Sequence, residues 1–547
     1  MSPRATGSVL SAPALIGRRA KEEGAFLKAC VRSGLLRMNS PATAKAGLHA
    51  YRTRGPLGAI MALSVTRDPG AIAFIDERGE TTFGQFEERT NALANAWSAA
   101  GVNAGDGVGL MMRNHAGVLE ALFACVKLGA KAIFMNTSFS GPQLASVSER
   151  EGVQVLVYDE EFEDVVKQVS APSGRYRAWT TTEGDDADDT IHGLVSRGDT
   201  TPPPSPSRHA SLIILTSGTT GTPKGAARQQ PKSLAPFGGP LSVLPFKGGE
   251  TTVLPTPMFH SIGLLHSLIA VGLGNTLILR HRFDAAQTLK DVEEHKATGL
   301  IVVPVMLRRI LDEHDKQGRK HDLSSLRIVF AGGSQLGGTL ATRAMDTIGD
   351  VVYNLYGSTE VAIATIATPE DLRKAPDSVG QVVTGSRVRI LDDEGRDVPH
   401  GTTGRIFVGT AMPFEGYTGG GTKDLIDGLM SSGDVGHFDD DDLLTIDGRD
   451  DDMIVSGGEN VFPAELEELL AAHDAVSEAA VLGVDDEEFG QRLKAFVVLE
   501  SGQDLSEDDV KAYAKDNLAR YKVPREVVFL DELPRNPTGK VLKRDLK

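Results

Sequence analysis

The sequence is nearly free of cysteine, and several classes of protein can be set aside on that ground. Its 547 residues include two cysteines, Cys30 and Cys125, which cannot build a disulfide framework. No Cys/His spacing typical of a metal site occurs either. A reducing cytoplasm is therefore the expected setting. No apolar run approaches the roughly 20 residues that cross a bilayer, so no membrane-spanning helix is expected.

Basic residues are fewer than acidic ones: 57 Lys and Arg stand against 74 Asp and Glu, which gives a net charge of −17. This balance argues against non-specific nucleic-acid binding. The first 54 residues are the exception, since Glu22 and Glu23 are their only acids. Apolar residues of this segment, such as Phe26 and Val31, fit one face of a helix. Two hypotheses stay open: a helix packed on the main domain, or a helix that docks on the inner face of a membrane.

The length predicts two or more domains. From Gly70, short apolar strands alternate with helical segments, which is typical of a parallel α/β sheet. The acidic and Pro-rich stretch 180–208 is expected to be a linker or surface loop. We expect a basic extension at 1–54, a large domain at 55–449 and a small α+β domain at 450–547. The predicted fold class is α/β, with mixed and parallel sheets, a β-rich subdomain in the large domain and a mobile small domain.

The stretch LTSGTTGTPKGA, residues 215–226, follows the apolar run Ser211–Thr216. Glycines let backbone N–H groups approach an anion, and hydroxyl groups add donors, so a polyphosphate is the expected ligand. The pattern departs from the GxxxxGK[ST] loop, because Pro223 precedes Lys224 and Gly225 follows it. An ordinary surface loop is the alternative.

Further polar clusters stand at expected strand ends and turns. They are AGGS (Ala331–Ser334), LYGSTE (Leu355–Glu360), SSGD (Ser431–Asp434), GRDDDMIVSGGEN (Gly448–Asn460) and PRNPTGKVLK (Pro534–Lys543). Ligands of α/β sheets bind outside the carboxyl ends of strands. Taken singly, each cluster is as readily a strand end, a turn cap or a surface lysine.

The conjunction of these motifs, in this order, resembles the adenylate-forming enzymes, which include acyl-CoA synthetases, firefly-luciferase-like enzymes and the adenylation domains of peptide synthetases. The resemblance covers about residues 55–547 and is specific. Ser432 stands where threonine is commoner, and Leu215 stands where tyrosine often begins the loop. The basic extension lies outside the shared core.

The resemblance implies roles for individual residues. Expected ATP-binding residues are Thr216, Ser217, Gly218, Thr219, Thr220, Gly221, Lys224, Gly332, Gly333, Ser334, Tyr356, Gly357, Ser358, Thr359, Asp434 and Arg449. Expected catalytic residues are Lys540, Thr359, Glu360 and Lys224, with Glu360 holding Mg²⁺. Expected acyl-pocket residues are His260, Gly263 and Gly332. The resemblance places the coenzyme A tunnel at Ser456, Gly457 and Gly458, and the hinge at Asp451.

The implied reaction joins a carboxylic acid to ATP as acyl-AMP and then to coenzyme A, with rotation of the small domain between the two steps. The apolar segments near His260 favour a medium- or long-chain fatty acid, as in bacterial fatty acyl-CoA synthetases. Amino-acid adenylation fits less well. That branch of the family resembles FDxS at this position, with an aspartate for the amino group of the substrate, and here His260 stands in the place of that aspartate. The alternative enzyme is a fatty acyl-AMP ligase that loads a carrier protein. Luciferase-type oxidation would be a second activity on the same first reaction. The alternative outside enzymes is a non-catalytic regulator that binds a nucleotide.

Overall fold

The computed structural model describes residues 12–181, 187–216, 224–228, 234–410, 416–418, 423–450, 454–456, 459–461, 463–486, 490–518, 522–537 and 539–546. Elements are numbered along the chain. The helices are α1 (Ala12–Ser33), α2 (Pro41–Arg67), α3 (Phe83–Ala99), α4 (Ala116–Leu128), α5 (Gly141–Glu151), α6 (Glu163–Val166), α7 (Ile191–Arg197), α8 (Ala235–Val243), α9 (Ser261–Leu273), α10 (Ala285–Glu294), α11 (Pro304–Lys316), α12 (Gly338–Ile348), α13 (Pro369–Lys374), α14 (Pro463–Ala471) and α15 (Glu507–Asn517).

The strands form four sheets. The first contains β1 (Ile72–Asp76), β2 (Gly79–Thr82), β9 (Thr251–Val253), β10 (Thr276–Ile278), β11 (Gly299–Val302), β12 (Ile328–Ala331), β13 (Val352–Ser358), β14 (Ala362–Ala367) and β15 (Gln381–Val382). The second contains β3 (Gly107–Met111), β4 (Lys131–Phe134), β5 (Val153–Asp159), β6 (Gly174–Trp179), β7 (Ser211–Thr216) and β8 (Lys224–Arg228). The third contains β16 (Ser386–Leu391), β17 (Gly404–Thr410), β18 (Leu425–Ile426), β19 (Leu429–Phe438) and β20 (Leu444–Arg449). The fourth contains β21 (Ile454–Ser456), β22 (Glu459–Val461), β23 (Val476–Asp486), β24 (Gly490–Leu499) and β25 (Glu526–Phe529).

The expected α/β fold class is confirmed. The middle of the first sheet is parallel, as the alternation of strands and helices predicts, and its flanking pairs are antiparallel. The second sheet is parallel except for the edge pair β7–β8. Strands β3 and β4 are almost wholly buried, because helices cover both faces of a parallel sheet. The third sheet is antiparallel throughout, and the fourth belongs to the smaller C-terminal unit.

The basic extension packs on the large domain, which confirms the first of the two hypotheses for α1. The Phe26 ring is 1% exposed, and it lies against Gly238 of α8 and against Gly385. A side chain at Gly238 would place its Cβ 2.4 Å from the Phe26 Cβ. Glycine at this position therefore allows α1 and α8 to approach closely. Helix α2 continues into the large domain through a kink at Gly55, where φ is +76°.

The stretch expected to be a linker is more ordered than its composition suggests. It contains α7, whose first turn is capped by the Thr190 hydroxyl. The side-chain amides of Asn91 and Asn95 on α3 donate to backbone carbonyls of residues 199–201. These bonds satisfy the polar backbone that a Pro-rich segment leaves unpaired. Residues 182–186 lie outside the described part of the chain.

Candidate active site

The predicted phosphate loop connects two antiparallel strands of the second sheet. Thr216 at the end of β7 pairs with Lys224 at the start of β8, so both ends of the loop start from one point on the sheet. Ser217, Gly218, Thr219, Thr220 and Gly221 lie outside the described residues.

A short segment ties this hairpin to Glu360. Tyr417 pairs with Ala226 of β8, and the backbone N–H of Thr418 donates to the carbonyl of Gly225. The Tyr417 hydroxyl donates to Glu360 Oε1 over 2.8 Å. Burial raises the pKa of the Tyr417 hydroxyl, as does the nearby Glu360 carboxylate, so the phenol remains a donor. Glu360 is thereby held beside the base of the predicted phosphate loop.

The turn that carries Glu360 follows β13 and is shaped by a glycine. A Cβ at Gly357 would lie 1.9 Å from the carbonyl oxygen of Ala362, so the β13–β14 hairpin tolerates no side chain there. The Ser358 hydroxyl lies 2.9 Å from Glu360 Oε2, and Thr359 occupies the turn between these residues. The strand end thus presents a carboxylate held by two hydroxyl groups.

Tyr356, Asp434 and Arg449 form a second polar group. The Tyr356 hydroxyl donates to Asp434 Oδ2 over 2.6 Å, and Arg449 Nη1 lies 3.2 Å from Asp434 Oδ1. Asp434 and Arg449 are paired residues of β19 and β20, which fixes their spacing. Burial raises the pKa of Tyr356, and the neighbouring Asp434 carboxylate adds to the shift. A carboxylate presented in this way can accept hydrogen bonds from the vicinal hydroxyls of a sugar.

Gly332 and Gly333 follow β12, and a side chain at either position would crowd its neighbours. A Cβ at either glycine would lie within 3.3 Å of Ile262 Cδ1, and Gly333 has a φ of +91°. Leu355, the residue before Tyr356, also lies close to Gly332, with its Cβ 3.1 Å from where a Gly332 Cβ would be. Ser334 continues the same turn. The two glycines therefore let this strand end approach Ile262 and Leu355 closely.

His260 precedes α9 and caps its first turn with extended backbone. Burial lowers the pKa of His260 to about 3, so the ring is neutral at pH 7. Its Nε2 is buried and has no hydrogen-bond partner within the described part of the chain. Gly263 allows α9 to begin here, because a Cβ would lie 2.3 Å from the Pro257 carbonyl oxygen.

The turn that carries Lys540 docks on the large domain. Asn536 Oδ1 accepts from the Lys540 N–H over 2.9 Å, and the Asn536 N–H donates to the Lys540 carbonyl. A Cβ at Gly539 would lie 2.4 Å from Val305 Cγ1 and 3.3 Å from Val303 Cγ2. Val303 in turn lies against Gly333. The turn that carries Lys540 is therefore adjacent to the end of β12, where Gly332 and Gly333 lie.

Two predicted features are described incompletely. Asp451, the expected hinge, and Gly457 and Gly458 of the expected coenzyme A tunnel lie outside the described residues. Ser456 ends β21 and pairs with Glu459 and Gly490. Asp450, directly before the expected hinge, accepts from Arg405 Nε over 2.9 Å.

Sequence reasoning missed two residues of this region. Tyr417 has no local motif, and its contact with Glu360 joins residues 57 positions apart. His266 reads as one more position in an apolar helix, yet its ring is buried with a nitrogen that has no hydrogen-bond partner within the described part of the chain.

Comparison with known proteins gives matches over most of the chain. Residues 62–418 match the AMP-binding enzyme family, and residues 465–540 match the AMP-binding enzyme C-terminal domain. A fatty acid–acyl-carrier-protein ligase of Streptomyces coeruleorubidus is 30% identical over 88% of this chain and 93% of that protein. An indoleacetate–CoA ligase of Aromatoleum aromaticum is 32% identical over 88% and 95%. A feruloyl-CoA synthase of Amycolatopsis is 33% identical over 85% and 93%.

Solved structures agree with these matches. The o-succinylbenzoate CoA synthetase of Bacillus subtilis, in complex with its acyl-adenylate intermediate, superposes with a TM-score of 0.76 at 26% identity, covering 89% of this chain and 97% of that one. An anthranilate CoA ligase in complex with anthranoyl-AMP gives a TM-score of 0.79 at 25% identity, covering 89% and 95%.

Proposed function

The chain belongs to the AMP-binding enzyme family and is an acid–thiol ligase, and from this premise we propose that it activates a medium- or long-chain fatty acid. The family reaction forms acyl-AMP from an acid and ATP and then transfers the acyl group to coenzyme A. The apolar helix α9 and the apolar side chains Ile262 and Leu355 beside Gly332 support a hydrophobic acid.

One observation carries the proposed roles. Val303 contacts both Gly333 of the large domain and Gly539 beside Lys540. The turn that carries Lys540 therefore lies near the end of β12, whose neighbour β13 carries Tyr356, and the Tyr356 hydroxyl bonds Asp434 of the third sheet. This is the arrangement that adenylation requires, because a cation must reach the two reactants from the small domain.

The chemistry accounts for the remaining assignments. A carboxylate that attacks the α-phosphate brings two anions together, and preorganised donors and cations must offset their repulsion. We assign this work to Lys540 and Lys224, with Thr359 beside the α-phosphate. Asp434 would accept the ribose hydroxyls, and Tyr356 would stack on adenine. Mg²⁺ prefers oxygen ligands, and the Glu360 carboxylate at the base of the predicted phosphate loop fits that preference. Bound there, the ion would neutralise phosphate charge.

The second reaction requires the Lys540 turn to leave. Once acyl-AMP has formed, the docked turn blocks the approach of a thiol, so we propose that the small domain rotates about Asp451. The face at Ser456, Gly457 and Gly458 would then line the path of coenzyme A. Such rearrangements reuse one site for two reactions.

The test separates the two half-reactions. Pyrophosphate release is measured with ATP and a panel of acids, with and without coenzyme A, for the wild type and Lys540→Ala. The variant should lose about 10²-fold or more in adenylation, the scale for one transition-state donor. Thioester formation from supplied acyl-AMP should largely survive. An equal loss in both half-reactions would refute the role assigned to Lys540.

The same assay addresses a second candidate acceptor. The relative from Streptomyces coeruleorubidus is named as a ligase for an acyl carrier protein, so a carrier-bound thiol is a specific alternative to coenzyme A. A phosphopantetheinylated carrier protein should support little turnover if coenzyme A is the acceptor. Turnover with the carrier alone would favour the alternative.

The N-terminal helices support a further proposal, cytoplasmic action at the surface of a membrane. Within the described residues no helix is long and apolar enough to cross a bilayer. Five large apolar side chains are nevertheless exposed on α1, α2 and the connection between them: Leu27, Val31, Met38, Leu48 and Tyr51. No acid occurs in residues 24–67, and Lys28, Lys45 and Arg52 are exposed. An apolar patch with basic neighbours suits an anionic lipid surface.

Point variants test this better than truncation, because removing Phe26 would expose the core. Val31→Glu, at a side chain 60% exposed, should weaken binding to phosphatidylserine-containing vesicles at low salt. Leu425→Glu is the matched control, since Leu425 is 57% exposed on the third sheet. Equal vesicle binding by both variants and the wild type would contradict the proposal. Turnover of a short acid in the absence of vesicles should be unchanged.

A further inference from the structure

Tyr417 joins two parts of the predicted site that are far apart in the sequence. Its hydroxyl donates to Glu360 Oε1 over 2.8 Å, and its backbone pairs with Ala226 of β8. Glu360 is the residue proposed to hold Mg²⁺, and β8 begins at Lys224, two residues before Ala226. One side chain therefore connects the predicted cation ligand to the strand that leaves the predicted phosphate loop.

The backbone at Tyr417 is anchored on both a sheet and a helix. The N–H of Thr418 donates to the carbonyl of Gly225 over 2.9 Å, and the Thr418 hydroxyl donates to Glu151 at the end of α5. Glu151 is itself buried and pairs with Arg150. A Cβ at Gly225 would lie 2.5 Å from the Thr418 hydroxyl oxygen, so glycine at this position lets the segment approach β8. Tyr417 therefore holds a defined position relative to β8.

The two hydroxyl groups that bond Glu360 act on it differently. Ser358 lies in the same turn, and its hydroxyl is 2.9 Å from Glu360 Oε2. That hydroxyl also accepts from the backbone N–H groups of Glu360 and Val361, so it orients the carboxylate within its own turn. The Tyr417 hydroxyl reaches Glu360 from a segment that is anchored on β8. It therefore sets the position of the carboxylate relative to the predicted phosphate loop.

This arrangement is suited to positioning a cation ligand. An ionised carboxylate has about four lone-pair sites on its two oxygens, so bonds from two hydroxyls are compatible with a cation on the same group. A group that hydrogen-bonds a metal-bound carboxylate fixes its orientation, and loss of such a partner weakens metal binding by about 10- to 100-fold. Mg²⁺ demands near-ideal octahedral geometry, so its affinity is sensitive to small displacements of a ligand.

We propose that Tyr417 is a positioning residue for the divalent cation: its hydroxyl holds the Glu360 carboxylate beside the predicted phosphate loop, where the carboxylate can share a cation with ATP. The inference rests on the proposed role of Glu360 in binding Mg²⁺. It predicts that the hydroxyl strengthens nucleotide binding only when the cation is present. A hydroxyl that served only the fold would affect nucleotide binding equally with and without the cation.

The experiment measures the coupling between cation and nucleotide in the intact enzyme. Isothermal titration calorimetry in the absence of acid gives the Kd of adenosine 5′-(β,γ-methylene)triphosphate, an ATP analogue, in excess Mg²⁺ and in EDTA. The readout is the ratio of the Kd in EDTA to the Kd in Mg²⁺, and it requires no turnover. Tyr417→Phe should lower this ratio about tenfold or more and leave the Kd in EDTA unchanged.

Further variants assign the effect to the bond with Glu360. Glu360→Gln removes the charge of the predicted ligand and should lower the ratio at least as far as Tyr417→Phe. The double variant should fall no further than Glu360→Gln, because both changes act through one carboxylate. Tyr158→Phe is the matched control, because the Tyr158 hydroxyl donates to Glu163 Oε2 over 2.7 Å, a bond of the same kind between β5 and α6. This control should keep the wild-type ratio.

The outcomes separate this inference from the proposed function. If Glu360→Gln lowers the ratio and Tyr417→Phe does not, the inference is overturned and the role assigned to Glu360 stands. Equal weakening of nucleotide binding in Mg²⁺ and in EDTA by Tyr417→Phe would also overturn it, because the hydroxyl would then serve only the fold. A wild-type ratio in Glu360→Gln would overturn the role assigned to Glu360 and this inference together.

Discussion

Replacing Gly539 with alanine is expected to slow adenylation selectively. Gly539 has a φ of +79°, and its Cβ would lie 2.4 Å from Val305 Cγ1. The positive φ costs alanine about 1 kcal/mol whether or not the turn is docked, so this term cancels between the two arrangements. The contact with Val305 arises only when the turn is docked. Overpacking of this kind costs about 1–3 kcal/mol. Adenylation should therefore fall about 5- to 160-fold, since each 1.36 kcal/mol is tenfold.

The assay compares the pyrophosphate burst without coenzyme A and thioester formation from supplied acyl-AMP. The second rate should change little in Gly539→Ala. Gly502→Ala is the matched control, because Gly502 lies in the same C-terminal unit with a φ of +81° and nothing within 4 Å of its Cβ. A matching loss of adenylation in Gly502→Ala, or an equal loss in both half-reactions of Gly539→Ala, would refute the reasoning.

Two further predictions follow from the contacts of the site and of the domain interface. Burial against the large domain, together with Asp377, raises the pKa of Glu468 on α14 to about 7. The docked arrangement should therefore be fully stable below the usual glutamate pKa and weaken as pH rises through 7. The rate of adenylation should fall relative to the rate of thioester formation between about pH 6 and 8. Glu468→Gln should flatten this fall. The same dependence on pH in the variant and the wild type would contradict the role of Glu468. Asp434→Asn should raise the KM for ATP about 13- to 160-fold, because hydrogen bonds to a charged group are worth about 1.5–3 kcal/mol. An unchanged KM in steady-state kinetics would remove Asp434 from the ribose site.

The parallel strands and the C-terminal helix were predictable from the sequence. Buried strands such as β3 and β4 read as continuous apolar runs, and Pro463 opens α14 where proline is favoured. The strand ends that carry Gly332 and Tyr356 were found for the same reason. These signals are local, so a single sequence contains them.

Long-range packing was not predictable. The Phe26 contact depends on glycines at 238 and 385, and the Tyr417 bond to Glu360 depends on strand pairing with β8. Helix α7 was not predicted, because it has only seven residues and the proline and acidic residues around it indicate a loop. His266 shows the same limit: its unpartnered nitrogen is a property of neighbours brought together by the fold.

Isotope transfer from the acid tests the central claim most directly. The acid that supports the fastest pyrophosphate release is labelled with ¹⁸O in its carboxylate and incubated with ATP and coenzyme A, and the products are analysed by mass spectrometry. Attack of the carboxylate on the α-phosphate leaves one carboxylate oxygen on the nucleotide when the thiol displaces AMP. We predict AMP that carries one ¹⁸O atom, together with unlabelled pyrophosphate. Unlabelled AMP, or ADP with labelled phosphate, would contradict an acyl-adenylate intermediate.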